Sequence, residues 1–258
     1  MTNKIHKQYY VFYIITSMAQ IAVVNQLQYY ITNPKDTIQQ YLYYGIQWND
    51  VMVNTLKDLI AIRNLKHFLN IGAHIGTISI PISKHIQKVS AVEPYYYSYI
   101  RLLENIKLNN ITNIKTYNFA IGDKNEKVYL MDDKNPRILN NDGGMHVFTE
   151  TDIAENRRSA NLVNRHLTCD MYSLDEYSEI DDFDIIFVDI EGMEDRFLQG
   201  AQKKIMKNRP IIVIEIWNNL KRVEESMNTT VEDIIKRIED MNYKLFRVIY
   251  DDYIFIPV

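Results

Sequence analysis

The sequence holds a single cysteine, Cys169, in 258 residues. An intrachain disulfide is therefore impossible, and no Cys/His cluster has the spacing of a zinc site. A lone cysteine of this kind reads as a small buried hydrophobe, and a reducing, cytoplasmic compartment fits it. Glycine (8) and proline (6) are scarce, and no low-complexity linker or internal repeat divides the chain. A strong charge bias is also missing. A net charge of −4 gives no reason to expect a nucleic-acid backbone as partner. There is no long apolar run. Residues 11–24 come nearest, but Thr16, Ser17 and Gln20 interrupt them. They are shorter than the ~20 residues that span a bilayer, and no small-x-small cleavage site follows. We expect no membrane span there, only a strand or helix packed on the core.

What is present is an ordinary globular mix, 47% hydrophobic and 24% charged. We read one domain over residues 67–258, with an extension, 1–66, packed on it and not independent. In the extension Asp36 is placed to cap a helix from Thr37, and a second helix is expected over 49–63. Apolar runs at 66–72, 88–94, 114–120, 128–131, 166–172, 183–190 and 210–217 read as strands. Residues 75–86, 97–108 and 194–207 read as helices between them. Thr229 or Thr230 can cap a helix through Met241, and 243–249 with 253–258 should form an antiparallel hairpin. Strands alternating with helices, each a continuous apolar run, predict a doubly wound, mostly parallel α/β sheet covered on both faces. Residues 132–164 are polar, hold Gly143-Gly144, and read as a long loop of the kind that forms a lid.

In such a sheet the ligand lies at the carboxyl ends of the strands. The first of these strands runs into Asn70-Ile71-Gly72-Ala73-His74-Ile75-Gly76. Gly72 permits a tight turn and close approach of backbone to ligand, and Gly76 lets the next helix pack closely. The dinucleotide pattern G-x-G-x-x-G is absent, because position 74 is histidine. The second strand ends at Glu93-Pro94, where an acid can accept hydrogen bonds from two ribose hydroxyls. Near the third strand end, Asn118 and the backbone of Ala120 are placed to meet an adenine edge. The strand 183–190 delivers Asp189 and Glu191 to the same edge, where carboxylates suit a cationic sulfonium or ammonium group.

Several of these stretches, in this order, resemble the FkbM-type methyltransferases. They are Phe68-Leu69-Asn70-Ile71-Gly72-Ala73-His74-Ile75-Gly76, Ala91-Val92-Glu93-Pro94, Asn118-Phe119-Ala120-Ile121-Gly122-Asp123, Ser173-Leu174-Asp175-Glu176-Tyr177 and Asp189-Ile190-Glu191-Gly192-Met193-Glu194. Leu198-Gln199-Gly200-Ala201 and the strand 211–216 extend the likeness, which covers roughly residues 36–217. Asn70 stands where that family usually has Asp, and His74 where it usually has Asn.

The resemblance implies a class I methyltransferase domain with a seven-stranded Rossmann-like sheet, an antiparallel edge hairpin, and S-adenosylmethionine as cofactor. The implied reaction is O-methylation of a hydroxyl on a sugar, glycan or small molecule. Cofactor contacts are then expected from Asn70, Gly72, His74, Gly76, Glu93, Pro94, Asn118, Ala120 and Asp189. Asp189, Glu191 and His146 are candidates for the base that takes the acceptor's proton, with Asp189 ranked first and Glu191 expected to act on binding. Glu93→Ala is expected to weaken cofactor binding and spare the fold. Alternatives stay open: a nucleic-acid ribose methyltransferase, a non-catalytic module that kept the fold, or a Mg²⁺ site on Asp189, Glu191 and Glu215.

Overall fold

The computed structural model describes residues 20–131, 134, 141–155 and 162–258. The architecture is mixed α/β. A hairpin comes first, β1 (Gln20–Val24) with β2 (Leu27–Ile31), paired antiparallel. Its turn residues Asn25 and Gln26 have φ of 50° and 69°, as a two-residue hairpin turn requires. Two helices follow, α1 (Thr37–Tyr43) and α2 (Asp50–Arg63). Of the apolar stretch at 11–24, residues 11–19 lie outside the described residues and the rest is β1.

The chain then runs β3 (His67–Ile71), α3 (Ser79–Ser83), β4 (Lys88–Val92), α4 (Tyr96–Leu108), β5 (Ile114–Tyr117), β6 (Ala120–Gly122) and β7 (Glu126–Met131). After the single helical turn Asp142–Gly144 come β8 (Val147–Phe148), α5 (Glu150–Ala154), β9 (Val163–Ser173), β10 (Ile185–Val188) and α6 (Glu194–Asn208). The last elements are β11 (Ile211–Glu215), α7 (Asn219–Glu224), α8 (Val231–Glu239), β12 (Tyr243–Ile249) and β13 (Asp252–Pro257).

The main sheet has seven strands in the order β12-β13-β11-β10-β3-β4-β5. Its orientation is mixed. The block from β11 to β5 pairs parallel, whereas β13 pairs antiparallel with both β11 and β12. Alternate residues of the same strands feed opposite faces, as the period of two demands. Leu69, Ile71, Ile186 and Ile212 pack with Phe197 of α6 and Ile234 of α8. Phe68, Ile185, Phe187 and Val213 pack with Met52, Leu56 and Ile60 of α2. The β1–β2 hairpin docks on α4, where the N–H groups of Gln28 and Tyr30 donate to the side chains of Asn109 and Asn105 at 2.8 and 2.9 Å.

Two expectations are corrected. The helix expected over 75–86 is α-helical only at Ser79–Ser83. Gly76 at φ +96° and Pro81 hold the preceding stretch in turns. The stretch 132–164 is not simply a loop with one short helix. Its flanks belong to a second sheet, ordered β6-β9-β7-β8, and residues 132–133, 135–140 and 156–161 within it lie outside the described residues. Among the described residues, no helix is long and apolar enough to cross a membrane.

Candidate active site

The carboxyl ends of β3, β4 and β10 open on one cavity of about 850 Å³, its open mouth included. Ile71, Val92, Phe119 and Ile121 give it an apolar wall, and Gly72, His74, Glu93, Asp189 and Glu191 bring the polar groups. Pro94 and Ala120 also line it.

Gly72 has φ +84°, and a Cβ there would lie 1.7 Å from the carbonyl oxygen of Asp189. Only glycine lets the turn after β3 run this close to the end of β10. Gly76 plays the helix-packing role expected of it. A Cβ at 76 would meet Ile80 and Leu102 at 2.8 Å. Between them, His74 sits in the left-handed region at φ 47°.

Glu93 is buried at the end of β4. Its two carboxylate oxygens accept the backbone N–H groups of His74 at 2.7 Å and Tyr95 at 2.8 Å. Each oxygen keeps a second lone pair for a ligand. Burial raises its pKa, against the opposing pull of His74 and the two N–H donors. Glu93 thus braces the glycine turn as well as facing the cavity.

His74 is tied on its other side. Its Nε2 meets Asp142 Oδ1 at 2.6 Å, and the N–H of Asp142 donates to Asp36 Oδ2 at 3.0 Å. Asp36 uses its other oxygen to cap α1 through the N–H of Gln39 at 2.8 Å. Burial alone would strip His74 of its proton, but Asp142, Glu93 and Asp36 together hold its pKa up at about 9. Burial and the Asp142 charge push Asp36 up to about 6. The sequence marked Asp36 as a helix cap, but its link to Asp142 spans 106 residues and leaves no local pattern.

Strand register builds the opposite wall. Val188 pairs with Ile214, so Asp189 emerges beside Glu215. Glu215 in turn pairs with Asp252 across the antiparallel β11–β13 ladder. Burial, then Glu215, Glu191 and Asp252, raise Asp189 well above the carboxylate range. Burial and Glu215 bring Asp252 to about 7, and burial and Glu215 likewise bring Glu191 to about 7 against the pull of Lys221. Asp189, Glu191 and Asp252, held back from ionising, would gain from a cation at this wall.

Glu191 leaves the strand in the left-handed conformation, φ 49°, and diverges from Asp189. Its Oε2 lies 3.6 Å from Lys221 Nζ and 3.9 Å from His146 Nε2. It lines the main cavity and also a smaller adjoining one, walled by His146, Phe148 and Trp217. Lys221 Nζ stands 3.5 Å over the Trp217 ring. The following Gly192 N–H donates to Glu194 at 2.8 Å, and Glu194 forms a fully buried pair with Arg222 at 3.0 Å. That pair joins the turn after β10 to α7, which carries Lys221.

Three of the expected cofactor contacts stand apart from the cavity wall. Asn70 is buried behind it, its amide donating to Ser79 Oγ at 2.7 Å. Asn118 is exposed and donates to the carbonyls of Glu93 and Pro94 at 2.8 and 3.1 Å. Gly76 lies beneath the turn. Among the described residues, no three His, Cys, Asp or Glu groups are arranged to hold a metal ion. Asp142, Trp217 and Lys221 were missed in the sequence, since no spacing links them to the glycine turn.

The methyltransferase FkbM domain family matches residues 70–245. The chain belongs to that family. The match runs from the glycine turn through every strand end described above and stops within the last hairpin. No curated protein sequence matches the chain. Among solved structures, an FkbM methyltransferase from Methylobacillus flagellatus KT is 16% identical with a TM-score of 0.49, covering 74% of this chain and 43% of that one. This FkbM chain thus spans under half the length of that relative. The M. jannaschii TYW2 in complex with AdoMet is 14% identical with a TM-score of 0.44, covering 93% and 87% of the two chains. The magnesium protoporphyrin IX methyltransferase of Synechocystis PCC 6803 with bound SAM is 9% identical with a TM-score of 0.48, covering 86% and 84%.

Proposed function

We propose that this chain is an S-adenosylmethionine-dependent methyltransferase that methylates a hydroxyl oxygen of a sugar, glycan or small molecule. One observation carries the reading. A single cavity sets a fixed carboxylate, Glu93, at the end of β4 opposite the carboxylates Asp189 and Glu191 after β10. The first suits the two hydroxyls of a ribose, and the second suits a sulfonium and an ammonium. We read residues 67–258 as the Rossmann-like methyltransferase domain and the segment before it as a packed extension.

When bound, the cofactor supplies an electrophilic methyl group on a cationic sulfur. The chain's own residues do the rest. Glu93 would take the ribose, the Phe119–Ile121 stretch would flank the adenine, and Asp189 would face the positive charge. Gly72 would let the backbone approach. Alignment of acceptor, methyl and sulfur is the main requirement of such a displacement. As the acceptor oxygen takes the methyl group the cofactor would supply, leaving a neutral thioether, the hydroxyl proton would pass to a base of this chain. We assign that base to Glu191 rather than Asp189, because Glu191 lines both cavities and His146 stands beside it. Glu191 titrating at about 7 suits a base near neutral pH.

Incubation with methyl-labelled S-adenosylmethionine and a panel of sugars, glycans, small alcohols and RNA tests the reading. Label on a hydroxyl oxygen of a sugar, glycan or alcohol is the expected result. Label confined to RNA would move the acceptor to nucleic acid, and label on nothing while the cofactor binds would favour a non-catalytic module.

A further inference from the structure

The cofactor assigned above carries two cations, sulfonium and ammonium, but one anion, its carboxylate. The cavity offers Glu93, Asp142, Asp189 and Glu191 for the cations and hydroxyls. Among the described residues that line it, His74 is the one cationic side chain. No lysine or arginine reaches this wall.

The state of the ring points to a ligand. His74 is 7% exposed, and its Nδ1 is buried with no hydrogen-bond partner. Nε2 already belongs to Asp142, at 2.6 Å. Asp142, Asp36 and Glu93, from the 142–144 turn, the α1 cap and the end of β4, are the charged groups that face the ring, and they keep it protonated up to about pH 9. A charged ring has N–H donors on both nitrogens, so Nδ1–H is a buried donor left unused, which is costly. The ring is also placed next to the ribose carboxylate, since the His74 backbone N–H donates to Glu93 at 2.7 Å.

We propose that the His74 imidazolium is the counter-ion of the cofactor's carboxylate, so that the site selects adenosine thioethers bearing an intact amino-acid tail. This rests on the S-adenosylmethionine reading. It also gives a role to the histidine that stands where the family usually has asparagine.

Calorimetric titration with S-adenosylhomocysteine and with its decarboxylated form tests the proposal without any acceptor. The wild type should bind the intact nucleoside more tightly, roughly tenfold to a hundredfold for one charge-assisted hydrogen bond. His74→Asn keeps a residue that tolerates the left-handed backbone. It should bring the ratio near one, weakening the intact nucleoside more than the decarboxylated form. Asp142→Asn, which removes the largest charge holding the proton on the ring, should lower the ratio at about pH 8. Equal weakening of both nucleosides by His74→Asn, or a ratio that survives both substitutions, overturns the role of His74 and leaves the cofactor reading intact. A wild type that binds neither nucleoside overturns both.

Discussion

The carbonyl oxygen of Asp189 occupies the place where a Cβ on Gly72 would stand, 1.7 Å from it. The two residues follow β3 and β10, neighbouring parallel strands whose ends define the cavity floor. This contact ties the glycine turn to the acidic side of the site. Gly72→Ala must move one of the two backbones and also hold alanine at φ +84°. We expect a loss of about 2–4 kcal/mol in stability, from overpacking and the left-handed penalty together. Urea unfolding measures it, and a change below about 0.5 kcal/mol would show that the turn relaxes freely.

Glu93 also braces the glycine turn. Replacing it by alanine leaves the buried N–H groups of His74 and Tyr95 without their acceptors. Each orphaned donor costs about 1–3 kcal/mol. Glu93→Ala should therefore lower stability as well as cofactor affinity, which revises the expectation from sequence that the fold is spared. A variant that unfolds at the wild-type urea concentration would refute this double role.

The base assignment separates Glu191 from Asp189. Once an acceptor is found, Glu191→Gln should cut turnover roughly 10²–10⁴-fold with little change in cofactor affinity. The wild-type rate should rise with pH through about 7, as Glu191 loses its proton. Asp189→Asn should act mainly on cofactor affinity. If Asp189→Asn removes turnover at saturating cofactor and Glu191→Gln does not, the roles are reversed. If only His146→Ala removes it, the base is the histidine.

The acidic wall also sets a pH dependence for the ligand-free protein. Asp36 at about 6, Glu191 at about 7 and Asp252 at about 7 lie above ordinary carboxylates. A raised folded pKa stabilises fully below the unfolded value and stops doing so as pH climbs through the folded value. His74, raised from 6.5 to about 9, has the same sign over a higher window. Asp142 is depressed, so its contribution is lost only toward acid and leaves this range alone. Stability should fall from about pH 5 to about pH 8, by up to about 1.4 kcal/mol per pH unit for each proton involved. Urea midpoints that rise over that range would contradict the charge state assigned to the wall.

Much of the framework was readable because apolar runs end in polar residues where strands meet the site. Gly72, Glu93 and Asp189 were found that way, and of the two cap candidates, Thr229 and Thr230, the structure selects Thr230 and completes it with Asp233 as a capping box. The β1–β2 hairpin was missed because its turn is Asn25-Gln26, with glutamine in a conformation that usually announces itself through glycine. Strand β9 was read over 166–172, and only its polar, partly exposed start at Val163–Arg165 was taken for loop. The His74–Asp142 contact joins residues 68 apart. Only the folded chain brings the second sheet's turn over the glycine loop.

The central claim is that the cavity binds S-adenosylmethionine. Direct titration of the full chain with S-adenosylhomocysteine and, separately, with NAD decides it. The account predicts saturable binding of S-adenosylhomocysteine, a raised thermal midpoint in its presence, and no response to NAD. Binding of NAD with none of S-adenosylhomocysteine would contradict it.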